Sequence, residues 1–440
     1  MNNIIGVLQK GTFIGGLIIM LIGVTVFFVN KNTITQTDTV SSFEDCVNAG
    51  NPIMESYPRQ CRHNRVTFIE IISDSKDIID NGENNKEPKT INYNGIDETG
   101  LGLKVSDDFT ISIFTDNLPG ARDLVGPDSS GNFILSRTSE GVITMLIMKD
   151  GEVDQKINIL KNLNNPHGLV LDNDGITLYY AETDKLSKVR LYSDGSPEKI
   201  VDLPKGGRHF TRSLVWGSDG KLYISIGSTC DTCYEKDERI ASIYSINKDG
   251  TNFEKVASGL RNSVFMDINP ITGDIWATEM GRDNLGDDLP PDEINIIKKG
   301  NNYGWPICYG KNIHDSVFDK NVYIQNPCTD KTPSHIDLQA HSAPLGLSFI
   351  PEEGWPEEYW NDLLISYHGS WNRSEKTGYK IVHIKLDDFG NVIHKRDFIT
   401  GWLDEDDKIS GRPVDILSFP GGIAYITDDK KGVIYKLIYK

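Results

Sequence analysis

Residues 281–293 (GRDNLGDDLPPDE) set five carboxylates, Asp283, Asp287, Asp288, Asp292 and Glu293, among glycines and prolines. Glycine and proline leave backbone carbonyls unpaired, and a mixture of carboxylate and carbonyl oxygens is what a hard cation such as Ca²⁺ takes as ligands. An acidic surface loop is, by composition alone, more often simply solvated. What surrounds the loop therefore matters. Upstream stands the pair Arg261-Asn262 in GLRN, which alone reads as an ordinary β-turn arginine, and downstream comes the aromatic turn NNYGWP. Three histidines, His167, His209 and His341, each precede a short apolar run. A lone histidine in that position is usually a surface or satisfied core residue, and His167 reads equally as a turn cap.

The elements that must position these residues repeat. An apolar doublet, a turn with Asp or Gly and a β-rich run recur as LVGPDSSGNFILSRT, LVLDNDGITLYYAET, LVWGSDGKLYISIGS, MDINPITGDIWATEM, NDLLISYHGS and ILSFPGGIAYITDD. The first three are spaced by about 45 residues, the period of four-stranded propeller blades. A second phrase follows each: GVITMLIMKDG, SKVRLYSDG, ASIYSINKDG, DEINIIKKG, YKIVHIKLDDFG and KGVIYKLIYK. Six of each predict an all-β, six-bladed β-propeller over residues 94–440, whose ring closure protects the sheet edges. The longer intervals, at 308–343 and 371–380, are expected to be loops on one face of the ring. A β-sandwich with a further domain would have no reason to repeat two phrases six times.

Residues 12–29 (TFIGGLIIMLIGVTVFFV) form an uncharged apolar run between Lys10 and Lys31, just long enough to cross a bilayer as a helix. No small-residue cleavage site follows, so 1–30 reads as a retained transmembrane anchor. Flanking charge fixes its orientation poorly. The six cysteines fall into three local pairs, 46/61, 230/233 and 308/328, which suits disulfides and an oxidising compartment. Zinc at Cys230/Cys233 would need a second pair of ligands, and a redox CxxC normally opens a helix, whereas Cys230 follows the strand-like KLYISIGS. The expectation is a single-pass membrane protein with its body on the extracytoplasmic side. Residues 31–72 read as a small disulfide-closed β module and 73–93 as a polar linker. A net charge of −18 and a pI near 5.0 exclude nucleic acid as a partner.

GLRN at 259–262, WATEMGRDNLGDDLPPDEIN, NNYGWP, HSAPLGL at 341–347, HGSWNR at 368–373 and GRPV at 411–414 occur in one order and register. In that ordered set the chain, from about Gly95 to Lys440, resembles the pyrroloquinoline quinone (PQQ)-dependent sugar dehydrogenases of the sorbosone and soluble aldose/glucose dehydrogenase type. The resemblance implies a six-bladed propeller with PQQ at the mouth of the central channel, seated by Ca²⁺.

Position by position, the resemblance makes His209 the catalytic base and puts Arg261 and Asn262 against the reacting quinone edge, where a guanidinium stabilises developing oxyanion charge. Backbone carbonyls of Gly281 and Arg282 would hold most of the Ca²⁺ shell, with Asp292 and Tyr303 organising the loop and cofactor. Arg412 matches an arginine for the PQQ carboxylates. The second such arginine is Ser410 here, so its work falls to Arg373, with His368 close by. His167 falls where the family has a polar residue beside the quinone; His341 is a weaker match. The loop is longer than in the soluble glucose dehydrogenases, as in the sorbosone-like branch.

What this implies is a quinoprotein that oxidises an aldose-type sugar or related polyol or aldehyde by hydride transfer to PQQ. No C-x-x-C-H haem motif is present, so the electrons must leave for a membrane quinone or a small redox protein. Two readings from other classes stay open: a Ca²⁺-dependent lactonase-like hydrolase and a non-catalytic propeller serving as a binding module.

Overall fold

Alternating and continuous apolar runs, bounded by Asp-Gly turns, become strands because half-buried and fully buried pleats need those two patterns respectively. The computed structural model describes residues 43–50, 53–54, 60–63, 66–69, 93–321 and 324–440. The chain divides into two units, Met1–Ile79 and Asp80–Lys440. The expected membrane span at 12–29 lies outside the described residues, as does most of the expected linker. Among the described residues no helix is long and apolar enough to cross a membrane. In the first unit a short helix, Phe43–Asn48, precedes an antiparallel sheet of Ile53–Met54, Gln60–His63 and Val66–Ile69. Cys46 is disulfide-bonded; the side chain of Cys61 lies outside the described residues.

The second unit is a propeller of six antiparallel sheets. Blade 1 runs Ala121–Val125, Phe133–Arg137, Val142–Lys149 and Glu152–Leu160, and blade 2 runs Leu169–Leu171, Thr177–Glu182, Lys185–Arg190 and Glu198–Asp202. Blade 3 is Leu214–Trp216, Leu222–Ile226, Ser242–Ile246 and Glu254–Ser258; blade 4 is Met266–Ile268, Ile275–Glu279, Asp292–Ile297 and Ile336–Leu338. Blade 5 consists of Pro344–Phe349, Leu363–Tyr367, Lys380–Leu386 and Val392–Thr400, extended by Lys104–Val105. Blade 6 takes Pro413–Phe419, Ile423–Asp428 and Val433–Tyr439 from the C-terminus and Phe109–Thr115 from upstream of blade 1. The second repeated phrase is the third strand of each blade, and the first spans the inner hairpin except in blade 5, where NDLLISYHGS holds only the second strand. Their turns follow the expected chemistry: Gly220, at φ 76°, donates its N–H to the Gly217 carbonyl at 2.9 Å.

Each blade is tied to the next near the axis. Thr138 Oγ1 donates to the Pro166 carbonyl (2.7 Å), Gly168 N–H to Arg212 (2.8 Å), Thr278 Oγ1 to Leu345 (2.7 Å) and Thr427 Oγ1 to Arg122 (2.6 Å). Ser213 and Ser366 make the same bond to Val264 and Val414. Three first-strand aspartates add to the seam. Asp123 accepts the Leu169 N–H (2.8 Å), Asp267 that of Phe349 (3.0 Å) and Asp415 that of Leu124 (3.0 Å). Burial pushes Asp267 up to about 6 and Asp415 to about 7.

Ring closure also rests on packing. Phe109, fully buried, meets the rings of Trp355, Tyr359, Phe398 and Tyr439 at centroid distances of 5.2–5.7 Å. Phe109→Ala removes the ring that joins the upstream strand to blades 5 and 6. Expected is a loss of about 3–5 kcal/mol, read as a lower urea midpoint at unchanged m-value; a shift under about 1 kcal/mol would show that the ring closes without this contact.

Candidate active site

In an antiparallel blade the start of the first strand and the end of the second lie at the same edge of the sheet. Loops from those points in four successive blades converge on a cavity of about 260 Å³. Arg208 and His209 come from the entry to blade 3, Arg261 from that to blade 4, His341 from that to blade 5 and Arg412 from that to blade 6. Met280, Gly281 and Asp283 leave the second strand of blade 4, and His368, Trp371 and Asn372 leave that of blade 5.

His209 is held in one tautomer. The Ser228 hydroxyl has a single proton and donates it to the Cys230 carbonyl at 2.7 Å, so its oxygen accepts from His209 Nδ1–H, also at 2.7 Å. Nε2 is then the unprotonated nitrogen, and it makes no hydrogen bond among the described residues. Burial first, then the charges of Arg261 and Arg208, lower the pKa of His209 to about 3. Near neutral pH the ring is an uncharged proton acceptor.

Arg261, only 4% exposed, lies between two carboxylates. Nε donates to the Asp231 carbonyl at 3.0 Å, Nη2 to Asp231 Oδ1 at 2.6 Å and to Asp283 Oδ2 at 3.3 Å, and Nη1 to the Met280 carbonyl at 3.2 Å. Asp283 also pairs with Arg208 and accepts from Asn372 Nδ2 at 3.2 Å. Next to Arg261, the Asn262 N–H donates to Glu279 Oε1 at 2.7 Å, whereas its buried Oδ1 has no hydrogen-bond partner among the described residues.

The acidic loop is braced rather than open. Asp287 accepts from Ser374 and Asp288 from Arg373 Nη2 at 3.2 Å. Glu293 accepts from Gly310 N–H (2.6 Å) and Asn295 Nδ2 (2.9 Å). Asp292, 1% exposed, accepts from Gly281 N–H at 2.9 Å, Ala343 N–H at 3.0 Å and Ser342 Oγ at 3.2 Å, while burial raises its pKa to about 6. His341 Nε2 donates to the Gly286 and Leu289 carbonyls at 2.7 and 3.0 Å. No hydrogen bond is made to the Gly281 or Arg282 carbonyl among the described residues. Both carbonyls therefore keep their acceptor capacity beside the braced carboxylates. Cys230, Cys233 and Glu235 also approach within 4.8 Å of one another, but both sulfurs belong to a disulfide and so cannot act as thiolate ligands.

On the opposite wall, Arg412 Nη1 donates to His368 Nδ1 at 3.3 Å and Nη2 to Tyr379 Oη at 3.1 Å. His368 Nε2–H then donates to Asp429 Oδ1 at 2.9 Å. Burial opposes ionisation of Asp429, but His368 and Arg122 outweigh it and hold that carboxyl well below its usual range. Arg412 itself has no carboxylate within ion-pair distance among the described residues.

Comparison with known proteins fits this architecture. Residues 103–439 match the TrAA12-like family along most of the chain. The chain belongs to that family. An uncharacterized protein of Borreliella burgdorferi is 33% identical over 360 residues, covering 77% of this chain and 91% of the relative. A pyrroloquinoline quinone-dependent sugar dehydrogenase of Hypocrea jecorina is 26% identical over 324 residues, covering 60% and 73%. Among solved folds, the calcium structure of the Trichoderma reesei family AA12 enzyme superposes with a TM-score of 0.67 at 20% identity, covering 79% of this chain and 99% of that one.

Not every residue singled out in the sequence reaches this TrAA12-like cavity. His167 is fully buried, 3.5 Å from both Arg122 Nη2 and Ser213 Oγ, and does not line it. Tyr303 sends its hydroxyl to the Ile296 carbonyl and accepts the Lys298 N–H at 3.0 Å, capping a strand of blade 4. Arg373 is held by the Asp287 carbonyl and Asp288, so it braces the acidic loop instead of replacing the arginine missing at Ser410. The Arg282 side chain pairs with Asp315 at 2.8 Å, in the insertion closed by the Cys308–Cys328 disulfide. Conversely, Arg208, Asn372 and the 65%-exposed Trp371 line the cavity and Asp231 fixes Arg261, although none of them carries a chemical signal in its own sequence neighbourhood. Arg208 adjoins His209 and Asp231 sits inside the CxxC, but only contacts across blades give them a role.

Since desolvation lowers the His209 pKa, the sign is that protonation is deferred to acid pH. In the cofactor-free protein the His209 C2–H NMR signal is expected to stay at its neutral position from pH 8 to about 4; a midpoint near 6.5 would mean a solvated ring outside the wall.

Proposed function

We propose that this chain is a PQQ-dependent sugar dehydrogenase acting on an aldose-type sugar or related polyol or aldehyde. The observation that carries the reading is one cavity holding a neutral histidine with a free Nε2 and an arginine without an acidic partner. A homologous sugar dehydrogenase supports it. The residues present fit the cofactor. Its carboxylates need forked cations, and Arg412, Arg208 and Arg261 line the wall. A calcium ion needs oxygen ligands, and the Gly281 and Arg282 carbonyls are unengaged. Asn262 Oδ1 offers a further buried acceptor.

When bound, PQQ supplies the hydride acceptor and Ca²⁺ the Lewis acidity. The chain's own part begins with His209, whose Nε2 takes the proton of the sugar hydroxyl. Ser228 keeps Nδ1 protonated and the ring oriented. Arg261, fixed on two carboxylates, presents positive charge where negative charge develops. Arg412 holds a cofactor carboxylate, and its link through His368 to Asp429 keeps the guanidinium in register. Asp292 anchors the turn that offers the metal-binding carbonyls.

The two disulfides of the propeller, Cys230–Cys233 and Cys308–Cys328, support an extracytoplasmic body. Residues 12–29 would then serve as its membrane anchor and keep it near a quinone or small redox-protein acceptor. A lactonase-like hydrolase would need converging, available carboxylates, and those of this wall are engaged by N–H groups, amides and arginines. A non-catalytic binding module has no use for an oriented, neutral histidine beside an unpaired arginine.

Two measurements test the proposal. Metal-stripped protein should oxidise aldoses only after both PQQ and Ca²⁺ are added; lactone hydrolysis under Ca²⁺ alone would favour the hydrolase. In the second, His209→Gln should leave PQQ affinity nearly unchanged while slowing cofactor reduction by roughly 10²- to 10⁴-fold. Arg412→Ala should instead weaken PQQ binding, read by quenching of intrinsic fluorescence. Wild-type reduction rates in His209→Gln would remove that residue as the base.

A further inference from the structure

Both side chains assigned to the chemistry are referenced to one four-residue turn. Asp231 lies inside the loop closed by the Cys230–Cys233 disulfide. Its carbonyl and Oδ1 take Arg261 Nε and Nη2 at 3.0 and 2.6 Å. The same Oδ1 accepts the Asp283 N–H at 2.9 Å, and the carbonyl also accepts the Trp305 indole N–H at 3.2 Å. One residue earlier, the Cys230 carbonyl takes the Ser228 proton and so dictates the tautomer of His209. Glu235 Oε1 fastens the base of the turn by accepting the Thr229 N–H at 2.7 Å.

We infer that the Cys230–Cys233 turn is the positioning device of the site, with Asp231 as the positioning residue for Arg261 and the disulfide holding the Asp231 and Cys230 acceptors in place. What the positioned groups accomplish rests on the function proposed above; that they are positioned by this turn does not. Arg261 has a second carboxylate, Asp283, within 3.3 Å. Loss of Asp231 therefore leaves the guanidinium paired but lets it swing toward Asp283, so the defect is one of placement, not of bare charge. The disulfide makes the device thiol-sensitive. Dithiothreitol breaks the Cys230–Cys233 sulfur–sulfur bond, two electrons and two protons convert the sulfurs to two thiols, and the reagent leaves as its cyclic disulfide. The turn then loses its covalent closure while the ring of blades keeps its hydrogen-bonded seams.

The test uses the full chain with and without PQQ. In cofactor-free protein, the slowly exchanging guanidinium N–H signals of Arg261 are assigned by their absence in Arg261→Lys; Nη2–H should vanish or broaden in Asp231→Ala, which keeps the carbonyl that holds Nε–H, and both Nε–H and Nη2–H should do so in Cys230→Ser/Cys233→Ser and in wild type under dithiothreitol. In PQQ- and Ca²⁺-loaded protein, the two variants, and wild type that was reduced with dithiothreitol, capped with iodoacetamide and freed of reagent before loading, should bind PQQ within about threefold of the untreated wild type yet reduce it with sugar roughly 10- to 100-fold more slowly, as expected for a displaced group. Asp231→Asn, which keeps an oxygen acceptor, should recover part of that rate. The same treatment should slow the serine double variant no further. An unchanged Arg261 signal together with wild-type reduction rates in Asp231→Ala, or in the serine double variant, overturns the inference. Failure of wild type to bind PQQ would instead remove the functional reading alone, because the Arg261 signal tests the turn without any cofactor.

Discussion

Closure of the ring is the constraint on which the molecule depends. The C-terminal strand Val433–Tyr439 completes its sheet with Phe109–Thr115, so the two ends of the propeller sequence are hydrogen-bonded to each other. Bringing them together carries a loop-closure cost that grows only slowly with length, whereas an open ring would leave two unpaired sheet edges and an exposed aromatic face. The cavity inherits this dependence. Its wall is assembled from residues between Arg208 and Arg412, borrowed from four blades, and none of those blades could form the site alone.

Within that wall, burial decides which charges remain available. A buried carboxylate without partners is costly, and so Asp283, Asp292 and Glu293, like the partly buried Asp231, each accept two or more hydrogen bonds. These groups act as braces that hold backbone and arginines in place. What is left in the cavity wall is a cation at Arg412 and a neutral imidazole at His209, with Gly281 beside them. The formal charge of the chain is −18, yet the site is locally basic. Over distances beyond a Debye length of about 8 Å the net charge is screened, so near contacts set what the cavity binds.

Much of the fold was legible because its signals are local. Two phrases repeated six times gave blade number and strand type, and Asp-Gly turns marked the hairpins. The upstream strand that closes blade 6 carries neither phrase, and its pairing with the C-terminus is a long-range choice that periodicity does not encode. The same division holds in the site. Ordered motifs brought His209, Arg261, Gly281, His368 and Arg412 to attention, and all of them line one cavity. Arg373 and His167 are of equally suggestive types, but the first is turned onto the acidic loop and the second is packed against Phe265 with ring centroids 5.0 Å apart.

By itself, then, the sequence determined the repeating strand pattern, the turn chemistry and the residue types able to bind an anionic cofactor and a hard cation, since each is a property of a few neighbouring residues. Only the tertiary structure decided that the carboxylates of 281–293 act as braces while the Gly281 and Arg282 carbonyls stay without hydrogen bonds among the described residues, and that Asp231 holds Arg261 across 30 positions of chain. Hydrogen-bond capacity is written in each residue, but whether it is used up depends on which partner the closed ring brings within 3 Å or so.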